Sequence, residues 1–121
     1  MFLQLNHQKL DIYSFSRNFV TACYNLTRQL PSEEKFGMVT QIRRAALSVH
    51  LNVAEGSSRK SESERKRYFE IARGSIVEID GAMDVANDLG YLENIETETL
   101  GKSMINCFKI VTGMIKANSK N

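Results

Sequence analysis

Apolar residues recur at alternating three- and four-residue steps in four successive segments of this chain, and that rhythm most limits the folds open to it. In the first segment Ile12, Phe15, Phe19, Ala22, Cys23, Leu26 and Leu30 share one face. Ile42, Ala45, Val49 and Val53 do so in the second, and Phe69, Ala72, Ile76, Ile79, Met83 and Ala86 in the third. Leu100, Met104, Cys107, Val111 and Met114 complete the set in the fourth. Such steps put every apolar group on one stripe of an α-helix, because three to four residues complete a turn. One proline, no tryptophan and seven glycines also favour helix over strand.

Local signals set the expected boundaries. The first helix runs from about Leu10 to Gln29 and is stopped by Pro31, which disfavours helical geometry in the residue before it. Ser32 is a good N-cap for a second helix, with Glu33 and Glu34 complementing its dipole and Pro31 available to pack on Phe36. That helix continues to Glu55, where Gly56 offers the left-handed residue that helix ends favour. Ser61 and Glu64 form a capping box for a third helix starting near residue 62 and ending at Leu89–Gly90. The fourth begins between Asn94 and Thr97.

Residues 1–9 are a short leader, 10–116 one domain, and the polar stretch 117–121 a tail expected to fray. Helices of roughly 20–28 residues are about 30–42 Å long at 1.5 Å per residue. Short connections make sequential helices antiparallel neighbours, so the expected fold is an all-α, up-down-up-down four-helix bundle. Ala45, Ala46, Ala54, Gly74, Ser75 and Gly81 are expected to let helix backbones approach closely. Such contact would offset the cost of about 1 kcal/mol that each mid-helix glycine carries.

With 121 residues and 13.7 kDa, the chain can bury a real core in a single domain. A net charge of +2 does not by itself announce nucleic-acid binding. Cys23 and Cys107 stand among apolar neighbours and read as core thiols of a reducing cytoplasm rather than a disulfide. The first residues lack the pattern of a signal peptide and no apolar run is long enough to span a membrane, so a cytoplasmic location is expected.

Three motifs carry a resemblance. Gln41-Ile-Arg-Arg-Ala-Ala-Leu-Ser, Asn52-Val-Ala-Glu-Gly56 and Ile71-Ala-Arg-Gly-Ser75 with Glu78 closely resemble the four helix bundle protein family. Its members include proteins encoded within intervening sequences of bacterial 23S ribosomal RNA genes. The accessory variability determinant of diversity-generating retroelements looks like a relative. The likeness covers Leu10 to about Ile115, and departs at His50 and Leu51, where small or proline-like residues are often seen. It implies a barrel-like homopentamer with no known catalytic activity. For the retroelement relative it implies binding to a reverse transcriptase and to nucleic acid. Tyr13, Val20 and Tyr24, and likewise Tyr68 and Ile71, form second apolar lines that suit subunit contacts or a generous core edge equally well.

Catalytic chemistry is hard to assemble from these residues. His7 and His50 belong to no metal-binding pair, and there is no glycine-rich phosphate loop, nucleophile elbow or zinc-spaced cysteine set. No enzyme activity, cofactor or metal is expected. Beside the apolar stripe of the second helix runs a polar ladder of Gln41, Arg44, Ser48, Asn52 and Glu55. It reads either as a register-setting network, with Glu55 or Glu78 pairing Arg44 within the bundle or across subunits, or as a ligand or partner site.

Charge is the other informative feature. Arg59, Lys60, Arg65, Lys66, Arg67 and Arg73 crowd the start of the third helix against Glu62, Glu64 and Glu70. From Glu78 to Glu98 there are seven acids and no lysine or arginine. That order opposes the helix dipole, so something besides helix stability keeps the bases there. Repeated around a ring they form a cationic rim that grips RNA or DNA. The competing readings are a solvated face, or basic-to-acidic pairing between subunits. The expected function is accordingly a non-enzymatic oligomeric bundle binding nucleic acid. The alternative is a scaffold that docks a protein partner, such as a reverse transcriptase, without touching nucleic acid.

Overall fold

In the computed structural model, which describes residues 2–119, the four periodic segments are helices. They are α1 (Asp11–Thr27), α2 (Met38–Ser57), α3 (Glu62–Asp88) and α4 (Glu98–Ala117), and among the described residues there is no strand. The principal contacts close a ring, with α1 on α2 and α4, and α3 on α2 and α4. Their apolar stripes meet inside it. Phe19, Ile42, Val49, Val53, Phe69, Ile76, Ile79 and Val111 are almost completely buried, and Cys23 and Cys107 lie among them as free thiols.

Polar pairs tie the helices at defined heights. Arg43 Nε donates to Thr27 Oγ1 at 2.9 Å, joining the start of α2 to the end of α1. Further along, Ser16 Oγ meets His50 Nδ1 at 2.7 Å. Ser75 on α3 donates to Ser48 on α2 at 3.0 Å. Cys107 on α4 lies against the carbonyl of Phe15 on α1 at 3.3 Å. Two ends result. At one, Tyr91 in the α3–α4 connection donates to Glu34 in the α1–α2 connection at 2.9 Å. The other holds the α2–α3 turn and the C-terminus of α4.

Helix termini follow the sequence in part. Ser61 accepts from the Glu64 amide at 3.0 Å and caps α3. At the other end Gly90 takes φ +79° while the Tyr91 amide reaches back to the Ala86 carbonyl, the paired bonds of a glycine-terminated helix. The start of α2 differs from expectation. Ser32–Glu34 is a single 3-10 turn with no side-chain bond from Pro31, and α2 begins only at Met38. Gly37, not Ser32, is the N-cap of α2 and offers no side chain, while Glu34 accepts from the Met38 amide at 3.3 Å. Phe36 is almost fully exposed, so it forms no staple with Pro31.

Two glycine expectations also change. Gly56 is not a left-handed terminator: α2 continues through it to Ser57, and it is buried. A Cβ there would lie 2.7 Å from Phe69 Cε1, so its role is to let α2 and α3 touch. Conversely Gly74 and Gly81 are exposed, with nothing within 4 Å of an added Cβ. They do not mark a crossing within the chain. Of the leader, Asn6–Lys9 forms a 3-10 turn in which the His7 ring meets Tyr13 edge-on at 6.0 Å, while Phe2, Leu3 and Leu5 are exposed. Of the tail, Asn118 is anchored, its Nδ2 donating to the Met114 carbonyl at 2.7 Å. Lys120 and Asn121 lie outside the described residues.

Candidate nucleic-acid interface

The basic cluster is set by the short turn between α2 and α3. Because Ser58 and Arg59 continue the last hydrogen bonds of α2 and Ser61 opens α3, only a few residues separate the helices. Five of the six candidate cations therefore lie on the turn or on the first two turns of α3, and Arg73 lies further along, in the fourth turn. The structure divides them. Arg65 is structural: its guanidinium donates to the carbonyls of Arg59 and Lys60 at 3.1 and 2.6 Å, and to Asn118 Oδ1 at 2.8 Å. Arg59 is half-committed, bonded to Glu55 at 2.8 Å and lying 5.2 Å above the Tyr68 ring. Tyr68 and Glu55 together raise its pKa.

Lys60, Lys66, Arg67 and Arg73 make no ion pair among the described residues. Lys60 and Arg67 are exposed, Lys66 and Arg73 half-buried. Beside them, Ser57 Oγ and Arg59 Nε are shielded from solvent with no hydrogen-bond partner among the described residues. These two atoms are closed off from the surface, so the accessible positive charge at this end is that of the unpaired cations.

Further cations lie on α4, outside the Arg59–Arg73 cluster. Lys102, Lys109 and Lys116 recur every seven residues on α4 and are all exposed. From Thr99 to Asn121 there is no acid. That spacing and that absence are the sequence signals for them. Lys102 is paired with Glu98 at 3.2 Å, whereas Lys109 and Lys116 make no ion pair among the described residues. Because the start of α3 lies beside the end of α4, Lys116 belongs to the basic end. Acidic side chains gather at the opposite end, where Glu34 binds Tyr91 and Glu96 accepts from the Thr99 amide at 2.8 Å. That amide lowers the pKa of Glu96.

The polar ladder of α2 separates into pieces. Ser48 and Asn52 form one unit with Ser75: Asn52 Nδ2 donates to the Ser48 carbonyl and hydroxyl at 2.8 and 3.1 Å, and Ser75 donates to the same hydroxyl. Glu55 turns instead to Arg59. Gln41, Arg44 and Glu78 are exposed, and within the described residues Arg44 pairs with neither Glu55 nor Glu78. The tyrosines of the second apolar lines are largely occupied inside the chain. Tyr24 stacks 4.5 Å under Arg43, Tyr13 meets the His50 ring edge-on at 4.7 Å, and Tyr68 holds Arg59.

His50, isolated in the sequence, has three neighbours in Ser16, Tyr13 and Arg17. Burial first, and the Arg17 charge second, hold its pKa below the usual value. Ser16 is completely buried and also donates to the Tyr13 carbonyl at 3.1 Å, so this pair is packing rather than an accessible nucleophile. No group of three or more His, Cys, Asp or Glu residues among those described is placed to hold a metal ion. No helix of the described residues is long and apolar enough to cross a membrane.

Residues 8–113 match the family model described as 23S rRNA-intervening sequence protein. A crystal structure at 1.70 Å has the same fold, with a TM-score of 0.77 over 87% of this chain and 95% of the other. It is of a protein of unknown function from the S23 ribosomal protein family of Bacteroides thetaiotaomicron VPI-5482, and the two sequences are 23% identical. No curated protein matches the chain.

Proposed function

This chain belongs to the 23S rRNA-intervening sequence protein family, and from that premise we propose that it is a non-enzymatic bundle that binds RNA or DNA through its basic end. The observation that carries the reading is the clustering there of Lys60, Lys66, Arg67 and Lys116, with Arg73 further along α3, none of them in an ion pair among the described residues. Surface cations left unneutralised attract phosphates over about a Debye length and release counterions on contact. The helix pairings at Thr27–Arg43, Ser48–Ser75 and Arg65–Asn118 support an antiparallel up-down-up-down order. A homopentamer, the assembly implied by the resemblance, would repeat the basic end around a ring. Cytoplasmic residence suits the two reduced cysteines.

Binding of a generic RNA and a single-stranded DNA, titrated across salt concentrations, tests the reading. The logarithm of the association constant is expected to fall linearly with the logarithm of salt, by about 0.7 per phosphate contacted. A variant with alanine at Lys60, Lys66, Arg67 and Arg73 should lose most of that slope. A flat response at low salt, or undiminished binding by the variant, would refute it. Light scattering reads the assembly directly, five copies of a 13.7 kDa chain being expected.

A second reading rests on Leu47, Leu51 and Ile71, which are 44, 54 and 44% exposed on α2 and α3. Apolar side chains left open in this way suit a protein contact, either with another copy or with a partner such as a reverse transcriptase. Replacing Leu47 and Leu51 by serine while the bundle stays folded should then lower the assembly mass or abolish capture of that partner.

A further inference from the structure

We infer that the groove between α3 and α4 is a slot for one unstacked base of a single-stranded nucleic acid, with its phosphates held by Lys109 and Arg73. The inference rests on the nucleic-acid reading above and specifies which form of nucleic acid is bound and where.

The groove is floored by Ile76, Val77, Met104, Ile105 and Phe108, with Asp80 and Lys109 at its rim, and holds about 260 Å³. That lies just below the usual range of small-molecule sites, a size for a single flat heterocycle rather than a cofactor. Val77 and Ile105 are 56 and 55% exposed and Phe108 is 38% exposed, so the floor is open to an entering ring. Phe108 supplies an aromatic face, which takes any base by stacking. Asp80, which only accepts hydrogen bonds when ionised, suits the exocyclic amine of cytosine, adenine or guanine.

The flanking charges decide the occupant. Lys109 sits on the rim itself, and Lys116 lies seven residues along the same face of α4, about 10.5 Å away at 1.5 Å per residue. On α3, Arg73 is one turn before Val77 and Lys66 seven residues before Arg73, so both lie on the stripe that leads into the groove, with Glu70 between them. An apolar slot flanked on its α4 side by lysines with no acid among them is complementary to a chain of phosphates carrying exposed bases. In a duplex the bases are stacked and paired inside, and none can reach Phe108 without being extruded.

The test uses the full chain, a short labelled oligodeoxycytidine strand and a blunt duplex of equal length. Wild type should bind the single strand more tightly than the duplex. Phe108→Ala, which removes a ring outside the buried core, should weaken single-strand binding roughly fivefold or more. It should leave duplex binding, helical content and assembly mass unchanged. Lys109→Ala should weaken the single strand further and lower its salt slope. Equal binding of the single strand by Phe108→Ala and wild type, or a preference for the duplex, would overturn the inference while leaving the basic end as the binding surface. A changed assembly mass in Phe108→Ala would assign the groove to contact between copies and also overturn it. Salt-insensitive or absent binding of both probes would remove the nucleic-acid reading as well.

Discussion

Arg65 at the start of α3 holds Asn118 at the end of α4, its Nε donating to Asn118 Oδ1 at 2.8 Å while Nη1 closes on the carbonyls of Arg59 and Lys60. One guanidinium thus fastens the α2–α3 turn and the last turn of α4 to the same point. Hydrogen bonds from a charged donor are worth about 1.5–3 kcal/mol. Arg65→Ala should therefore lower the unfolding free energy by about 2 kcal/mol, read by urea denaturation. Lys66→Ala and Arg67→Ala should each change it by less than about 0.5 kcal/mol. Stability effects of equal size in all three would dissolve the distinction between the anchoring cation and the surface ones.

That distinction shows where legibility in the sequence stops. The apolar seams are readable because burial in a bundle follows helical period, and Phe19, Val49, Ile76 and Val111 are buried where the period puts them. Composition also locates the basic cluster, but only the fold brings Asn118 within reach of Arg65, across fifty-three positions of chain. Gly56 escapes local pattern for the same reason: its neighbour is Phe69 on another helix, whereas its place in the sequence suggests a terminator. At Ser32 the failure is local. A capping residue with two acids after it serves a single 3-10 turn as well as a long helix, and Gly37, at ψ −103°, breaks the run into α2. Lys109 and Lys116 are legible from their spacing, but such lysines gain meaning only beside an open groove and the bases of α3.

Cys23 and Cys107 should be inert in the folded chain. Both thiols are completely buried, and burial pushes each pKa up to about 12, with Cys107 adding to the effect on Cys23. A thiol reacts as its thiolate. Labelling by an aromatic disulfide at mildly alkaline pH should be slow until denaturant is added, then modify both cysteines quickly. Rapid modification of either thiol without unfolding would contradict this packing.

His50 should make the bundle less stable in mild acid. Burial and Arg17 lower its folded pKa beneath the value of about 6.5 that it has when unfolded. The unfolded chain therefore takes up a proton at a pH where the folded chain does not. The neutral histidine's contribution is fully present above the unfolded pKa. It is lost as pH falls from there toward the folded pKa, and levels off below that. Urea midpoints measured between neutral pH and pH 5 should decline for wild type and decline less for His50→Gln. Parallel declines would show that His50 is not the group responsible.

Glycine substitutions should separate the inner and outer faces of α3 and its neighbour. At Gly56 an added methyl would sit 2.7 and 3.0 Å from two atoms of the Phe69 ring and 3.0 Å from Tyr68 Cβ. Phe69 is itself buried, so the ring has little room to swing aside. Overpacking of this kind costs about 1–3 kcal/mol, more than the gain of roughly 1 kcal/mol from replacing a helical glycine with alanine. Gly56→Ala should thus be destabilising overall. Gly74 and Gly81 meet nothing within 4 Å, so only the propensity gain remains. Alanine at either should raise the unfolding free energy by about 0.5–1 kcal/mol. Sedimentation of the same variants supplies the second readout: unchanged mass leaves the outer face of α3 facing solvent, whereas a fall in mass would make that glycine-lined face a contact between copies.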